Sequence, residues 1–309
     1  MQIGNEIIEP GEEKRIIVNL ARLPSHSNID IHLTISRSKK PGPTLLLSGG
    51  LHGDEVNGIE IVRRITEQNL HRPEIGTVIC MPIINIYGFL YTSRYVPDGK
   101  DVNRSFPGSP TGSLASRVAY YLTKQILPHI NYGVDFHTGG ADRTNYPQVR
   151  CQLKDAVNQE LARAFFAPFT LDSPLRPKSM RQVAMRMGKR ILVYEGGESG
   201  RFDEHAIEHA IKGTLRLMHH LGMRNSSEKP SHASMVISHS SWVRARNSGI
   251  FLNNVRYGQE VKKGDTVGFI NDPFGDFKLK LKSPVNGYVL GLNNNPIVHQ
   301  GDAIIHIGY

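Results

Sequence analysis

Only two cysteines, Cys80 and Cys151, occur in 309 residues. They are too few for a disulfide framework and are not at metal-ligand spacing, so they read as buried thiols in a reducing compartment. No apolar run approaches the ~18 residues of a membrane span. The start, Met1-Gln2-Ile3-Gly4-Asn5-Glu6, lacks the basic segment and apolar core of a signal peptide. The expectation is a soluble, cytoplasmic protein without a membrane partner. The 30 Gly and 18 Pro are scattered rather than massed, and hydrophobic residues make up 39% against 21% charged. This excludes collagen, coiled coil and bulk disorder and leaves a loop-rich globular protein. A basic tail is missing too. The net charge of +9 divides into 28 Lys and Arg against 22 Asp and Glu over residues 1–225, and nine against six over 226–309. A nucleic-acid module usually concentrates its charge, so no nucleic-acid partner is expected.

The length suits about two domains. Ile29, Ile31, Leu33 and Ile35 alternate with polar residues as in a half-buried strand. Thr44–Ser48 is a continuous apolar run ended by Gly49-Gly50 and followed by helix-periodic Val56, Ile59, Ile61, Val62 and Ile65. Further strands are predicted over Thr77–Ile84, Tyr132–Phe136 and Ile191–Tyr194. Helices are predicted after Ser113 to Pro128, near Asp155–Phe166 and near Asp203–Leu221. This alternation implies an α/β sheet flanked by helices, with ligands at the strand C-terminal ends. The polar stretch around Gly222–Ser234 marks a boundary, giving residues 1–225 and 226–309. Beyond it lie only short β-rich runs, Val255–Tyr257, Thr266–Ile270, Phe277–Leu281, Tyr288–Leu290 and Ala303–Ile307, as in a small barrel or sandwich. Their turn spacing is similar to the hybrid barrel of lipoyl and biotinyl carriers, without the Met-Lys-Met-type attachment turn. Lys278, Lys280 and Lys282 alternate on one strand and read as a solvated face rather than a covalent-cofactor site.

His52-Gly53-Asp54-Glu55 lies where a buried strand gives way to a helix. An imidazole and a carboxylate three apart on such a turn can face one cation, and a third ligand would complete an open His₂Glu zinc site. The competing reading is a capped helix start with a hydrogen-bonded histidine, Asp54 serving as N-terminal helix charge. His137, in Val134-Asp135-Phe136-His137-Thr138-Gly139-Gly140, ends another inner strand. Alternation puts Asp135 on the same face, suited to orient the imidazole. Asn103-Arg104 in the intervening loop offers an amide and a guanidinium fork for a substrate carboxylate, or else is plain surface. Glu195, in Tyr194-Glu195-Gly196-Gly197-Glu198, ends a third buried strand. Near a metal such a carboxylate can move a proton from water to a leaving amine; otherwise it is a paired structural group.

These four segments, in this order, resemble the aspartoacylase and succinylglutamate desuccinylase family, a branch of the zinc carboxypeptidase superfamily, over about residues 40–225. The tail resembles the family's C-terminal domain more loosely. The resemblance implies a mixed, zinc carboxypeptidase-like sheet flanked by helices and followed by a small all-β barrel-like domain. It also implies one Zn²⁺ per subunit held by His52, Glu55 and His137, a substrate carboxylate held by Asn103 and Arg104, and Glu195 as general base. An oxyanion-stabilising arginine is expected shortly before the Asn-Arg pair, and Arg94 fits in order. The implied reaction is hydrolysis of the amide of a small, anionic N-acyl amino acid or related N-acyl amine, by a monomer or homo-oligomer. Glu195 follows His137 by only 58 positions, fewer than in the carboxypeptidases. With an added β domain this suggests a restricted pocket.

The alternative is a zinc carboxypeptidase releasing a terminal amino acid. A non-enzymatic reading, a nucleic-acid or carrier-type binding protein, rests on charge and the barrel tail. The acid-free basic run Leu175–Arg190 reads either as a solvated face or as an anion-steering rim. His219-His220 are expected to be structural, and His205 and His209, one turn apart, to be surface rather than metal-ligating.

Overall fold

A computed structural model describes residues 1–22, 25–231 and 233–309. Among these, no helix is long and apolar enough to cross a membrane. His232, within the predicted boundary segment, lies outside the described residues.

Among the described residues the frame is a 13-stranded mixed sheet. Its N-terminal half contains β1 (Glu13–Arg22), β2 (Asn28–Arg37), β3 (Thr44–Ser48), β4 (Thr77–Met81), β5 (Tyr132–Gly139), β6 (Arg143–Cys151), β7 (Phe169–Asp172) and β8 (Arg190–Glu198). The helices longer than five residues are α1 (Val56–Glu67), α2 (Leu114–Tyr121), α3 (Ala156–Phe165), α4 (Met180–Arg186) and α5 (Glu204–His220), and a five-residue helix spans Ile86–Leu90. The tail adds β9 (Met235–Ile237), β10 (Ser240–Arg244), β11 (Gly249–Asn253), β12 (Thr266–Asn271), β13 (Lys278–Lys282), β14 (Gly287–Asn293) and β15 (Ala303–Gly308). Along the sheet the order is β10-β15-β14-β6-β8-β5-β3-β4-β2-β1, with β7 and β9 paired beside β6 and the two-residue strand Glu260–Val261 paired beside β14. β3, β5 and β8 run parallel at the centre, so their C-terminal ends open on the same edge.

Alternation explains why these strands are apolar throughout: each is covered on both faces. On β3, Leu46 joins a core that includes Ile79, Ile126 and Ile191. Leu45 and Leu47 point the other way, into a core with Ile61, Val62, Phe165 and Leu217 from α1, α3 and α5. Helix starts follow side-chain capping: Ser113, Asp155, Ser179 and Asp203 each accept a hydrogen bond from the first turn they cap.

The predicted strands and helices of the α/β part are present within a few residues of their expected limits. The helix from Ser113 is less regular than expected, passing at Leu122 into a π turn and then a 3₁₀ turn before Ile130. Missing from the sequence reading were β1, β6, β7 and α4. β6 is the largest omission: Tyr146, Pro147 and Gln148 interrupt any plain alternation, yet the strand is buried between β8 and β14.

In the tail, Thr266–Asn271, Lys278–Lys282, Gly287–Asn293 and Ala303–Gly308 are strands as expected, whereas Val255–Tyr257 is a loop. β11, β12 and β13, with the two-residue strand Ile297–Val298, form a separate four-stranded sheet. This sheet packs over β10, β14 and β15 around Phe251, Val267, Ile270, Val289, Ile305 and Ile307. That core uses only residues beyond 242, but the sheet itself is continuous across the predicted boundary. Gly291, Leu292 and Asn293 of β14 pair with Asn145, Thr144 and Arg143 of β6. Lys278, Lys280 and Lys282 form an exposed strand face, as read from their spacing.

Candidate active site and metal centre

Each central parallel strand ends by turning a polar side chain into one cavity of about 730 Å³. After β3 the chain makes a tight loop, and Gly53 is required there by space. A Cβ at Gly53 would fall 1.9 Å from the Gly88 carbonyl carbon and 2.0 Å from the Phe89 nitrogen. The loop delivers His52 and Glu55, and β5 delivers His137; all three are buried. One ligand atom from each lies within 4.8 Å of the others.

Glu55 is the N-cap residue of α1, yet its side chain makes no capping bond. Its Oε1 is 2.7 Å from His52 Nδ1 and its Oε2 is 2.7 Å from His137 Nδ1. The capped-helix reading of this motif is therefore set aside: a cap bond worth about 1 kcal/mol is forgone so that the carboxylate faces two imidazoles. The outer nitrogens are also engaged. His137 Nε2 lies 2.7 Å from Asp135 Oδ2, and Asp135 in turn accepts from Ser48 Oγ at 2.8 Å. His52 Nε2 lies 3.3 Å from Asp101 Oδ1. Carboxylates behind both imidazoles leave the two Nδ1 atoms and Glu55 as an inward-facing N₂O donor set, which suits a tetrahedral cation with one position left open. Among the described residues this is the one such cluster found.

The electrostatics of the cluster follow from the same contacts. Burial by itself would raise the Glu55 carboxyl, but the two imidazoles outweigh it and hold the group well below the ordinary carboxylate range. Burial opposes charge on His137, but Asp135 and Glu55 outweigh it and raise the imidazole well above its ordinary value.

Arg94 enters the same focus. Its Nε and Nη2 donate to Asp101 Oδ2 at 3.1 and 3.0 Å, and its Nη1 is 3.3 Å from Glu55 Oε1. Asn103 and Arg104 line the cavity from a 3₁₀ turn capped by Asp101. Asn103 Oδ1 accepts from the Met180 backbone at 3.0 Å, tying the loop to α4. Arg104 donates to the Asn103 carbonyl at 2.7 Å and is otherwise exposed toward the cavity. Glu195, paired with His137 in the β8–β5 register, also lines it. Its Oε2 accepts from Asn145 Nδ2 at 2.9 Å, and its Oε1 is 3.3 Å from Arg150 Nη1. All seven residues singled out in the sequence thus meet in one place.

Several lining residues had no sequence signal. Asn145 and Arg150 come from β6, which was not recognised as a strand. Asp101, behind His52 and Arg94 rather than on the cavity wall, gave no signal of its own. Trp242 arrives from β10 in the tail. The basic run 175–190 divides: Arg176 lines the cavity from an exposed position, whereas Arg181 is buried and donates to the carbonyls of Arg150, Ser173 and Pro174. Arg190 pairs with Asp155 at 2.9 Å. His219 Nδ1 lies 3.0 Å from the Arg224 carbonyl, consistent with a structural role, and His205 and His209 stack edge-on at 4.5 Å outside the metal-type cluster.

Residues 41–221 match the family described as succinylglutamate desuccinylase/aspartoacylase catalytic domain. A curated relative, N-alpha-acetyl-L-2,4-diaminobutyric acid deacetylase of Halomonas elongata, is 28% identical over 243 residues, covering 75% of this chain and 71% of that protein. The crystal structure of a succinylglutamate desuccinylase/aspartoacylase from Rhodobacter sphaeroides superposes with a TM-score of 0.86 at 28% identity, covering 100% of this chain and 98% of that one. The product-bound ectoine utilization protein of Ruegeria pomeroyi shares the fold at a TM-score of 0.88 and 23% identity, covering 99% and 98% of the two chains.

Proposed function

The chain belongs to the succinylglutamate desuccinylase/aspartoacylase family, and on that premise we propose that it hydrolyses the amide bond of a small N-acyl amino acid, using one Zn²⁺ per subunit. The observation that carries the reading is the convergence of His52, Glu55 and His137 with the carboxylate of Glu195 on one cavity. Its volume of about 730 Å³ is in the range of small-molecule sites. The Halomonas elongata relative, named for removing an acetyl group from an amino acid, supports an acyl-amino-acid substrate over a peptide.

His52 and His137 would hold the ion through Nδ1 and Glu55 through a carboxylate oxygen. When bound, it would supply Lewis acidity toward the amide carbonyl and toward water. Glu195 takes the proton of the attacking water and returns it to the nitrogen of the departing amine, so that one carboxylate serves as base and then acid. Arg94, whose Nη1 lies beside Glu55, would donate to the oxygen on which negative charge develops. With Asn103 Oδ1 committed to Met180, its Nδ2 is the group left to donate, and Arg104 supplies the fork for a substrate carboxylate. We assign residues 1–225 as the catalytic unit and 226–309 as a β-rich unit, on the separate core beyond residue 242. Two unpaired buried thiols support a cytoplasmic setting.

The test is a panel of N-acetyl, N-succinyl and other N-acyl amino acids against C-terminally free peptides, with zinc-loaded and chelator-treated protein. Chelator-sensitive turnover of the acyl amino acids supports the reading, and turnover confined to peptides overturns it. Glu195→Gln should keep its zinc and lose about 10³-fold or more in kcat.

A further inference from the structure

Glu195 is held from one strand. Asn145 Nδ2 donates to its Oε2 at 2.9 Å, and Arg150 Nη1 stands 3.3 Å from its Oε1, both from β6. β6 is itself held from outside by the tail. Arg150 Nε donates to Gln148 Oε1 at 3.3 Å, and Gln148, fully buried, donates through Nε2 to the carbonyl of Leu290 on β14 at 3.3 Å. Next to Leu290, Gly291 is the register partner of Asn145. A Cβ on Gly291 would fall 2.7 Å from Asn145 Oδ1 and 2.9 Å from the Thr144 carbonyl oxygen. Gly291 is not among the positive-φ glycines, so what it provides is space. It lies where the β14–β15 register shifts, which lets β14 close directly over Asn145.

We propose that β14 of the tail is a brace for the general base: Gly291 seats Asn145, the Leu290 carbonyl seats Gln148 and through it Arg150, and these two side chains fix the two oxygens of Glu195. The inference rests on Glu195 being the base. A carboxylate that must reach first a water and then a leaving nitrogen gains from a fixed rotamer, because misplacement by about 1 Å can cost on the order of 10²-fold in rate. An arginine and an amide on separate oxygens define that rotamer in a way one contact would not. The tail therefore acts on turnover through Asn145 and Arg150 as positioning residues, apart from any contact it makes with substrate.

A double-mutant cycle on the zinc-loaded full chain separates this from a general packing role. Asn145→Ala and Arg150→Met should each lower kcat about 10- to 100-fold with KM within about twofold and zinc content unchanged, and Arg150→Lys should recover most of the loss. Gly291→Ala should lower kcat about tenfold, and that loss should disappear in the Asn145→Ala background. Should Gly291→Ala fail to fold, Gln148→Leu carries the test with an expected loss of about fivefold in kcat. Wild-type kcat in Asn145→Ala, or a Gly291→Ala loss that persists in full without Asn145, overturns the brace. Near-wild-type turnover by Glu195→Gln overturns the base assignment itself, so the two failures are distinguishable.

Discussion

The central parallel strands and the strands of the tail meet the same cavity with different kinds of side chain. β3, β5 and β8 end on His52 with Glu55, on His137 and on Glu195, titratable groups whose partners are themselves polar. The tail contributes a lining side chain of another type, Trp242. Its ring stacks on His306 at 4.5 Å and 7°, and the Arg143 guanidinium lies 5.6 Å from its centroid. Parallel strand ends concentrate loops, and with them chemistry, on one edge of a sheet. Antiparallel strands added at the far side of β6 can supply a wall and a support without contributing an ion ligand.

That contrast can be broken most sharply on the metal side. His52→Ala or His137→Ala should remove both zinc, by elemental analysis, and activity; a stoichiometrically loaded, active His137→Ala would dissolve the distinction between the two regions. A smaller effect is expected one bond further out. Asp135→Asn leaves the ligands in place but weakens the orientation of His137, so zinc affinity should fall about 10- to 100-fold in a competitive chelator titration. An unchanged affinity would mean that the imidazole is fixed by packing alone.

For the side chain that the tail sends into the cavity, the effect should be milder and should fall on binding. Trp242→Ala should raise KM for an N-acyl amino acid several-fold, on the order of 1 kcal/mol, with kcat within about threefold. As the single tryptophan in the chain, Trp242 should also report ligand binding through its fluorescence. A drop in kcat with KM unchanged would move it from wall to support. The least conspicuous effect concerns stability. Burial, with Arg150 nearby, lowers the His306 imidazole to about 3 from 6.5. A neutral buried imidazole contributes stability above the unfolded value and loses it on acidification, because only the unfolded chain takes up the proton. Between pH 7 and pH 5 the protein should lose about 2 kcal/mol by this route, and His306→Phe should reduce that loss in denaturant titrations; an identical pH dependence in the variant would exclude it.

Much of the catalytic half was legible because its signals are local. Continuous apolar runs marked β3, β4, β5 and β8, and polar residues at their ends marked His52, Glu55, His137 and Glu195. The alternation that paired Asp135 with His137 reappears as a 2.7 Å contact. β6 escaped because its polar face, with Asn145, Gln148 and Arg150, is buried against other polar groups rather than exposed. Period-two hydrophobicity therefore carried no trace of it. The inward turn of Arg181 was equally hidden: within a basic run, only the carbonyls of Arg150, Ser173 and Pro174 distinguish it from its exposed neighbours.

The order of strand and helix, the β-rich character of the tail and the residue types at each strand end depend on local propensity and patterning, and the chain carries them openly. That Asp101 backs His52, that Asn145 and Arg150 grip Glu195, and that β14 runs on from β6 in a single sheet are results of long-range packing. Those contacts join segments between 45 and nearly 150 residues apart, and their energies depend on burial and register, which no local window of sequence contains.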